Sequence, residues 1–242
     1  KIPGFKHLRD GKYGSSIKPF LQSMPQSERR RFLNTPVEIS VIILSYNYGR
    51  FIRECLDSLM AQTFQSFEII LVDDQSTDRD SWPIARDSAD PWKLINVYRP
   101  PRNLGTAAAL NFGIRRSHGQ YITFLSADDR RAPRGLQALW EALQGTEKTI
   151  AFDDVELQHF DRENEVWKMG PWDVERIKNL NTVHAGIMYP KSAWVEVGGY
   201  PVVMARGRED WAFNLALLQA GYKAVHVHET NYWYRRHDAN RT

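Results

Sequence analysis

Val41-Ile42-Ile43-Leu44-Ser45-Tyr46-Asn47 is an unbroken apolar run that stops on polar residues. Such a run reads as a strand buried on both faces, with its carboxyl end opening onto a loop. It lies within an expected strand over Val37 to Tyr46, and the same pattern recurs over Ile69 to Asp73, Leu94 to Tyr98 and Tyr121 to Ser126. Helical spacing fills the gaps. Phe51, Cys55, Leu56 and Leu59 share one face, Thr106 to Ser117 follows Gly105 and is built from Ala and Leu, and Leu136, Leu139, Trp140 and Leu143 form a later stripe. Alternating strands and helices predict βαβ units, hence an α/β fold with an open, mostly parallel twisted sheet flanked by helices. Further on, Thr149 to Phe152 and Val183 to Tyr189 predict strands, and Lys191 to Val197 a short helix ended by Gly198 and Gly199. Glu209 to Ala220, ended by Gly221, is apolar nearly all round and is expected to be largely buried.

A length of 242 residues suits one domain, and 42% hydrophobic with 25% charged residues is ordinary for a water-exposed globular protein. No apolar run approaches the roughly 18 residues of a membrane span, and no secretory leader pattern precedes the domain. The expectation is a cytoplasmic protein. One cysteine, Cys55, excludes an intramolecular disulfide and a cysteine-based zinc site. Of the net charge of +3, residues 1–36 carry +6 and the remainder −3. The basic balance therefore belongs to an N-terminal arm, expected first as a solvated extension with partial helix over Ser27 to Leu33 and, as the alternative, as a peripheral contact to an anionic membrane face, and no nucleic-acid-binding body is implied.

Ligands of open parallel sheets bind beyond the carboxyl ends of the strands. Here those ends carry Ser45-Tyr46-Asn47, Asp73-Asp74-Gln75-Ser76-Thr77-Asp78, Arg102-Asn103-Leu104-Gly105 and Ser126-Ala127-Asp128-Asp129. Acids gathered on one rim repel unless a cation or donors neutralise them, which points to a divalent metal carrying a diphosphate.

These runs, followed by Asn111 and Gly113, Gly119-Gln120-Tyr121-Ile122, Gly198-Gly199-Tyr200, Glu209-Asp210-Trp211 and Tyr234-Arg235-Arg236-His237, resemble the inverting family 2 glycosyltransferases over roughly residues 37–237. The resemblance implies a GT-A type single domain over 37–242, preceded by the basic extension 1–36. Its nucleotide-binding half would be 37–129 and its acceptor-binding half 130–242. It implies a nucleotide-sugar donor, with UDP expected, a glycan or lipid-linked acceptor, and Mn²⁺ or Mg²⁺.

The same resemblance distributes roles. Asp74, with Ser45, Tyr46, Asn47 and Asn103, is implied at the nucleotide, with Asp73 as a further candidate. Asp128 is implied as metal ligand beside the diphosphate, and His237 as a second ligand, with Arg235 balancing charge and Asp129 orienting the loop. Asp210 is implied as the base that deprotonates the acceptor, with Glu209 beside it as an alternative; both acids also suit the positive end of a helix. Ser126 stands where the family usually has an acid, which motivates a non-catalytic sugar-nucleotide-binding module as the alternative. A sugar nucleotidyltransferase is disfavoured because Ser45-Tyr46-Asn47-Tyr48-Gly49 lacks a glycine-rich basic loop for a triphosphate. Asp78 is expected to cap a helix, and Trp172, Trp194 and Trp211 to pack in the core. His226 and His228 alternate on a strand and, without a third ligand nearby, receive no role.

Overall fold

In the first strand, β1 (Ile39–Ser45), Ile39, Val41 and Ile43 enter one apolar cluster while Ile42 enters another. The two faces of the sheet thus bury separate cores. The computed structural model describes residues 37–89, 94–202 and 207–237. β2 (Phe67–Asp73), β3 (Ile95–Tyr98) and β4 (Tyr121–Ser126) join β1 in the parallel order β3-β2-β1-β4. The first core receives α1 (Gly49–Met60), α2 (Ser81–Asp87) and α4 (Gly135–Leu143). The second receives α3 (Thr106–Ile114), α6 (Lys191–Glu196) and α7 (Glu209–Gln219), giving three layers, helix on sheet on helix. A Cβ on Gly113 would lie 3.0 Å from Ile42, so its absence lets α3 settle against β1.

Beyond β4 the sheet becomes mixed. β8 (Met188–Pro190) is antiparallel to both β4 and β6 (Thr149–Gln158), and β6 runs parallel to β9 (Lys223–Arg235). β5 (Arg130–Arg131) and β7 (Glu165–Trp167) add short antiparallel edges, and α5 (Val174–Ile177) is a single turn. No described helix is long and apolar enough to cross a membrane. The basic arm, with its expected partial helix and its alternative membrane contact, lies outside the described residues.

Three expectations need correction. The strand expected over Thr149 to Phe152 continues to Gln158, because Asp153 and Asp154, which read as strand terminators, are buried and neutralised by side chains from elsewhere. The strand expected over Val183 to Tyr189 is strand only from Met188. Val183 and Ile187 are buried, but the loop between them delivers His184 and the Gly186 carbonyl to buried partners, which a straight strand would not. In α7 only Phe213, Asn214 and Leu217 are buried, because the helix packs one face on the sheet and leaves the other half-exposed.

Candidate active site

The register sets Ser45 beside Asp73 and Leu44 beside Ser126, so β1, β2 and β4 end on one rim. The loops that leave it are tied together by their own polar groups. The Asp74 carboxylate accepts N–H bonds from Leu104 at 2.8 Å and Gly105 at 2.9 Å, while Asn103 Nδ2 donates to the Asp74 carbonyl at 2.7 Å. Gly105 makes this turn at φ +76°. Asn47 Oδ1 accepts from the N–H groups of Thr77 at 2.7 Å and Asp78 at 3.1 Å, joining the β1 and β2 loops. Tyr46 is half-buried between these braces. Asp73 Oδ1 accepts from the Ser76 N–H at 3.1 Å and lies 3.3 Å from Arg99 Nε. That leaves Asp73 Oδ2 and Ser45 Oγ buried without a hydrogen-bond partner among the described residues. Thus Asp74, Asn47 and Asn103 spend their side chains on bracing these loops, while Ser45 and Asp73 each keep one buried oxygen uncommitted.

After β4 the chain turns through two buried acids, Asp128 at 5% and Asp129 at 2% exposure. Asp129 accepts from the Tyr232 hydroxyl at 2.7 Å and from the Arg235 N–H at 3.0 Å. Burial, and then the charge of Asp128, push the Asp129 carboxyl well above its usual range, and burial followed by Asp129 pushes the Tyr232 phenol up. Asp128 Oδ2 lies 3.0 Å from His237 Nε2, whereas its Oδ1 is buried without a partner among the described residues. The His237 ring rests on Phe51 at 4.8 Å and meets Tyr48 edge-on at 5.7 Å. Arg235 donates to the Asp128 carbonyl at 2.9 Å and to Glu54 at 2.5 Å, which pins the turn to α1. A buried carboxylate oxygen without a partner is a ligand that both Mn²⁺ and Mg²⁺ accept, and the imidazole nitrogen beside it favours Mn²⁺ of the two, so these residues fit the implied ion. Cys55, below this site, is no nucleophile: burial and then the charge of Asp129 raise its thiol well above the usual value.

Asp210 and Glu209 open α7, half-buried, at its positive end. Asn181 Nδ2 donates to Asp210 Oδ2 at 2.8 Å, and the loop that carries Asn181 continues to His184 and Gly186. His184 Nε2 lies 2.9 Å from Asp153 Oδ1, Arg131 pairs with Asp153 at 2.9 Å, and Arg131 donates to the Gly186 carbonyl at 2.8 Å. Arg131 also lies over the Tyr232 ring, at 5.3 Å. One buried network therefore supports both the Asp128 turn and the loop that holds Asp210. Glu54, Arg131, Asp153, Asn181, His184 and Tyr232 escaped sequence reasoning because none sits in a motif; the acid pair closing the apolar run Thr149 to Phe152 was the one available signal.

Asp78 accepts from the Ser81 N–H at 2.7 Å at the start of α2, from two residues before the N-cap Asp80, whose own side chain makes no cap bond. The indole N–H groups of Trp172, Trp194 and Trp211 are all spent on protein partners, Tyr222, Asn111 and Ile177. His226 and His228 do have a third potential ligand, Asp154, which corrects the reason for setting them aside.

Residues 40–200 match the family model described as Glycosyl transferase family 2. An uncharacterized glycosyltransferase of Haemophilus influenzae is 39% identical over 97 residues, 40% of this chain and 38% of that protein. The uncharacterized glycosyltransferase YibD of Escherichia coli is 33% identical over 148 residues, 58% of this chain and 40% of that protein. These matches span at most two fifths of the relatives' lengths. Among solved structures, S. aureus TarS 1-349 in complex with UDP-GlcNAc superposes with a TM-score of 0.69 at 18% identity, covering 84% of this chain and 60% of that one. GalNAc-T7 with UDP, GalNAc and Mn²⁺ superposes with a TM-score of 0.67 at 16% identity, covering 84% and 44%. At such identities the likeness speaks for the fold alone, which is GT-A-like. The family match covers well over half of the chain, from β1 to the glycine turn after α6, and on that ground the chain belongs to glycosyl transferase family 2.

Proposed function

We propose that the chain transfers a sugar from a nucleotide-diphosphate donor, a UDP-sugar, to a hydroxyl of a glycan or lipid-linked acceptor, with inversion at the anomeric carbon. The observation that carries the proposal is the set of uncommitted buried oxygens on one rim, Ser45 Oγ, Asp73 Oδ2 and Asp128 Oδ1. Native interiors rarely leave such groups unpaired, and a polar ligand would satisfy them. Ser45 and Asp73 supply an acceptor pair for the N–H and hydroxyl groups of a nucleoside, while Asp74, Asn47 and Asn103 keep the wall in shape. The UDP complexes of TarS and GalNAc-T7 support the choice of nucleotide, and the Mn²⁺ of the latter supports the ion.

Asp128 and His237 would hold Mn²⁺ or Mg²⁺. Bound there, the ion would offset charge developing on the leaving diphosphate. Asp129, held by Tyr232 and the Arg235 N–H, fixes the direction of the turn and so of Asp128. Asp210 takes the proton from the acceptor hydroxyl. Asn181 occupies one of its oxygens, which orients the other. The reading is a single displacement in which Asp210 acts as base, a role that needs no covalent intermediate.

Calorimetric titration with UDP, GDP, dTDP and CDP, with and without Mn²⁺, tests the donor site. Micromolar, metal-enhanced binding of UDP is expected, and no binding of any diphosphate would overturn the reading. Asp210→Asn should keep that binding and lower transfer about a hundredfold or more. Near-wild-type turnover would remove Asp210 from the base role and leave the donor site standing.

A further inference from the structure

Asp153 and Asp154 are consecutive on β6, so their side chains leave opposite faces of the sheet. Asp153 joins the network beneath the active site; Asp154 faces away from it. Asp154 is fully buried, with Oδ1 at 2.8 Å from His226 Nε2 and at 2.9 Å from the Met169 N–H. Its Oδ2 lies 2.8 Å from Lys168 Nζ, on a side chain that is 70% exposed. The carboxylate is thus neutralised from the solvent side by a movable cation. The His226 ring stacks on Phe152 at 4.7 Å and 19°, which fixes its plane, and the exposed His228 ring lies 4.0 Å from it.

The strand register brings these residues to one face. Phe152 pairs with His226 and Asp153 with Val227, which points His228 toward Asp154; a bulge then sets Thr230 opposite Asp154, leaving His228 and Glu229 as extra residues of β9. His228 therefore stays near Asp154 but is exposed to solvent. One ligand atom from each of Asp154, His226 and His228 lies within 4.8 Å of the others. A tetrahedral ion with bonds of about 2.1 Å sets its ligand atoms ~3.4 Å apart, within the 4.8 Å spread of these three, so small side-chain adjustments would bring them onto one ion.

We propose that Asp154, His226 and His228 form a second metal site, distinct from Asp128 and His237, that takes a borderline divalent ion of the Zn²⁺ class. Two imidazoles and one carboxylate are the donor set such an ion prefers over the all-oxygen set of Mg²⁺ or Ca²⁺. The ion takes the place of the Lys168 ammonium on Asp154, bonds to His226 and His228 in their neutral forms, and takes a water as its fourth ligand. It clips β9 to β6 across the bulge, so its role is structural.

The test uses the full chain without a histidine tag and with Asp128→Asn, so that the donor site keeps only His237 and cannot chelate the ion. Zn²⁺ titrated against a chromogenic chelator should show one bound equivalent. His228→Gln, at an exposed position, should weaken it about tenfold or more, and His226→Gln likewise. Co²⁺ should give visible absorption bands that vanish in either variant. Zn²⁺ should raise the melting temperature of the Asp128→Asn chain and leave that of the His228→Gln chain unmoved. Zn²⁺ affinity unchanged by both substitutions, or no bound equivalent at about 10 µM Zn²⁺, would overturn the proposal, leaving Asp154–His226 as an ion pair that braces the sheet.

Discussion

Asp128 and Asp129 are neighbours in sequence with opposite situations. Asp129 has both oxygens filled and its carboxyl pushed up by burial, whereas Asp128 keeps one buried oxygen open. The open one is the ligand and the filled one its support. Tyr232→Phe removes the hydroxyl that holds Asp129 while keeping the ring, so the fold should survive. Loosening a supporting hydrogen bond of this kind costs about 10- to 100-fold in metal affinity or activity. The Mn²⁺ concentration needed for half-maximal UDP binding should rise by such a factor, and an unchanged value would remove Tyr232 from the positioning role. Asp153 carries a different weight. It is fully buried against Arg131, itself 1% exposed, so Asp153→Asn leaves a buried guanidinium without its counter-charge. The cost should be about 3 to 5 kcal/mol, a fall in melting temperature of roughly 6 to 20 °C for a domain of this size. A fall below about 2 °C would mean that the Gly186 carbonyl and the Tyr232 ring suffice for the guanidinium.

Among the elements, α2 shows how much a loop acid does for a short helix. Seven residues make less than two full turns, too few to stand without help. Asp78 accepts from both the Ser81 N–H and its hydroxyl, and although burial works against the charged form, those bonds hold the carboxyl below its usual 3.8. A depressed carboxyl stabilises the fold above the unfolded value, and that stability is lost as the pH falls through the folded one. Asp78→Ala should therefore cost about 0.5 to 1 kcal/mol near pH 7, the low end of the capping range because Asp78 is exposed. Urea midpoints of variant and parent should converge as the pH drops below about 3.8; a gap independent of pH would assign the effect to packing. The same elements show what the sequence discloses. β1, β2, β3 and β4 were legible to within two residues because each is a short apolar run, too short for a helix, that ends on polar or turn residues. The last six residues of β6 were not, since an acid pair signals a strand end unless its partners are known, and Arg131, His184, Lys168 and His226 come from distant segments. The site divides likewise. Its strand-end loops announced themselves by polar residues after apolar runs, whereas Tyr232 and Asn181 gain meaning only from what the fold sets beside them.

On the scale of the whole molecule, charge is partitioned along the chain, with +6 in residues 1–36 and −3 in the rest. A family-matched body beginning at residue 40 leaves that basic arm outside the matched region. We propose that the arm holds the body against an anionic membrane face, which would bring a lipid-linked acceptor within reach of Asp210. Each Lys or Arg near such a surface contributes about 1 kcal/mol, screened within a Debye length of about 10 Å at 0.1 M salt. Replacing Arg29, Arg30 and Arg31 by Gln should therefore weaken binding to vesicles rich in phosphatidylglycerol on the order of a hundredfold at low salt. The same variant should bind UDP as the parent does, because the rim residues lie in the body. Co-sedimentation with vesicles across a salt series checks the first expectation, and calorimetry the second. If the parent binds neutral and anionic vesicles alike, or the variant binds anionic vesicles as tightly as the parent, the arm's charge has no part in bringing enzyme and acceptor together. The negative body would then have to meet its acceptor from solution.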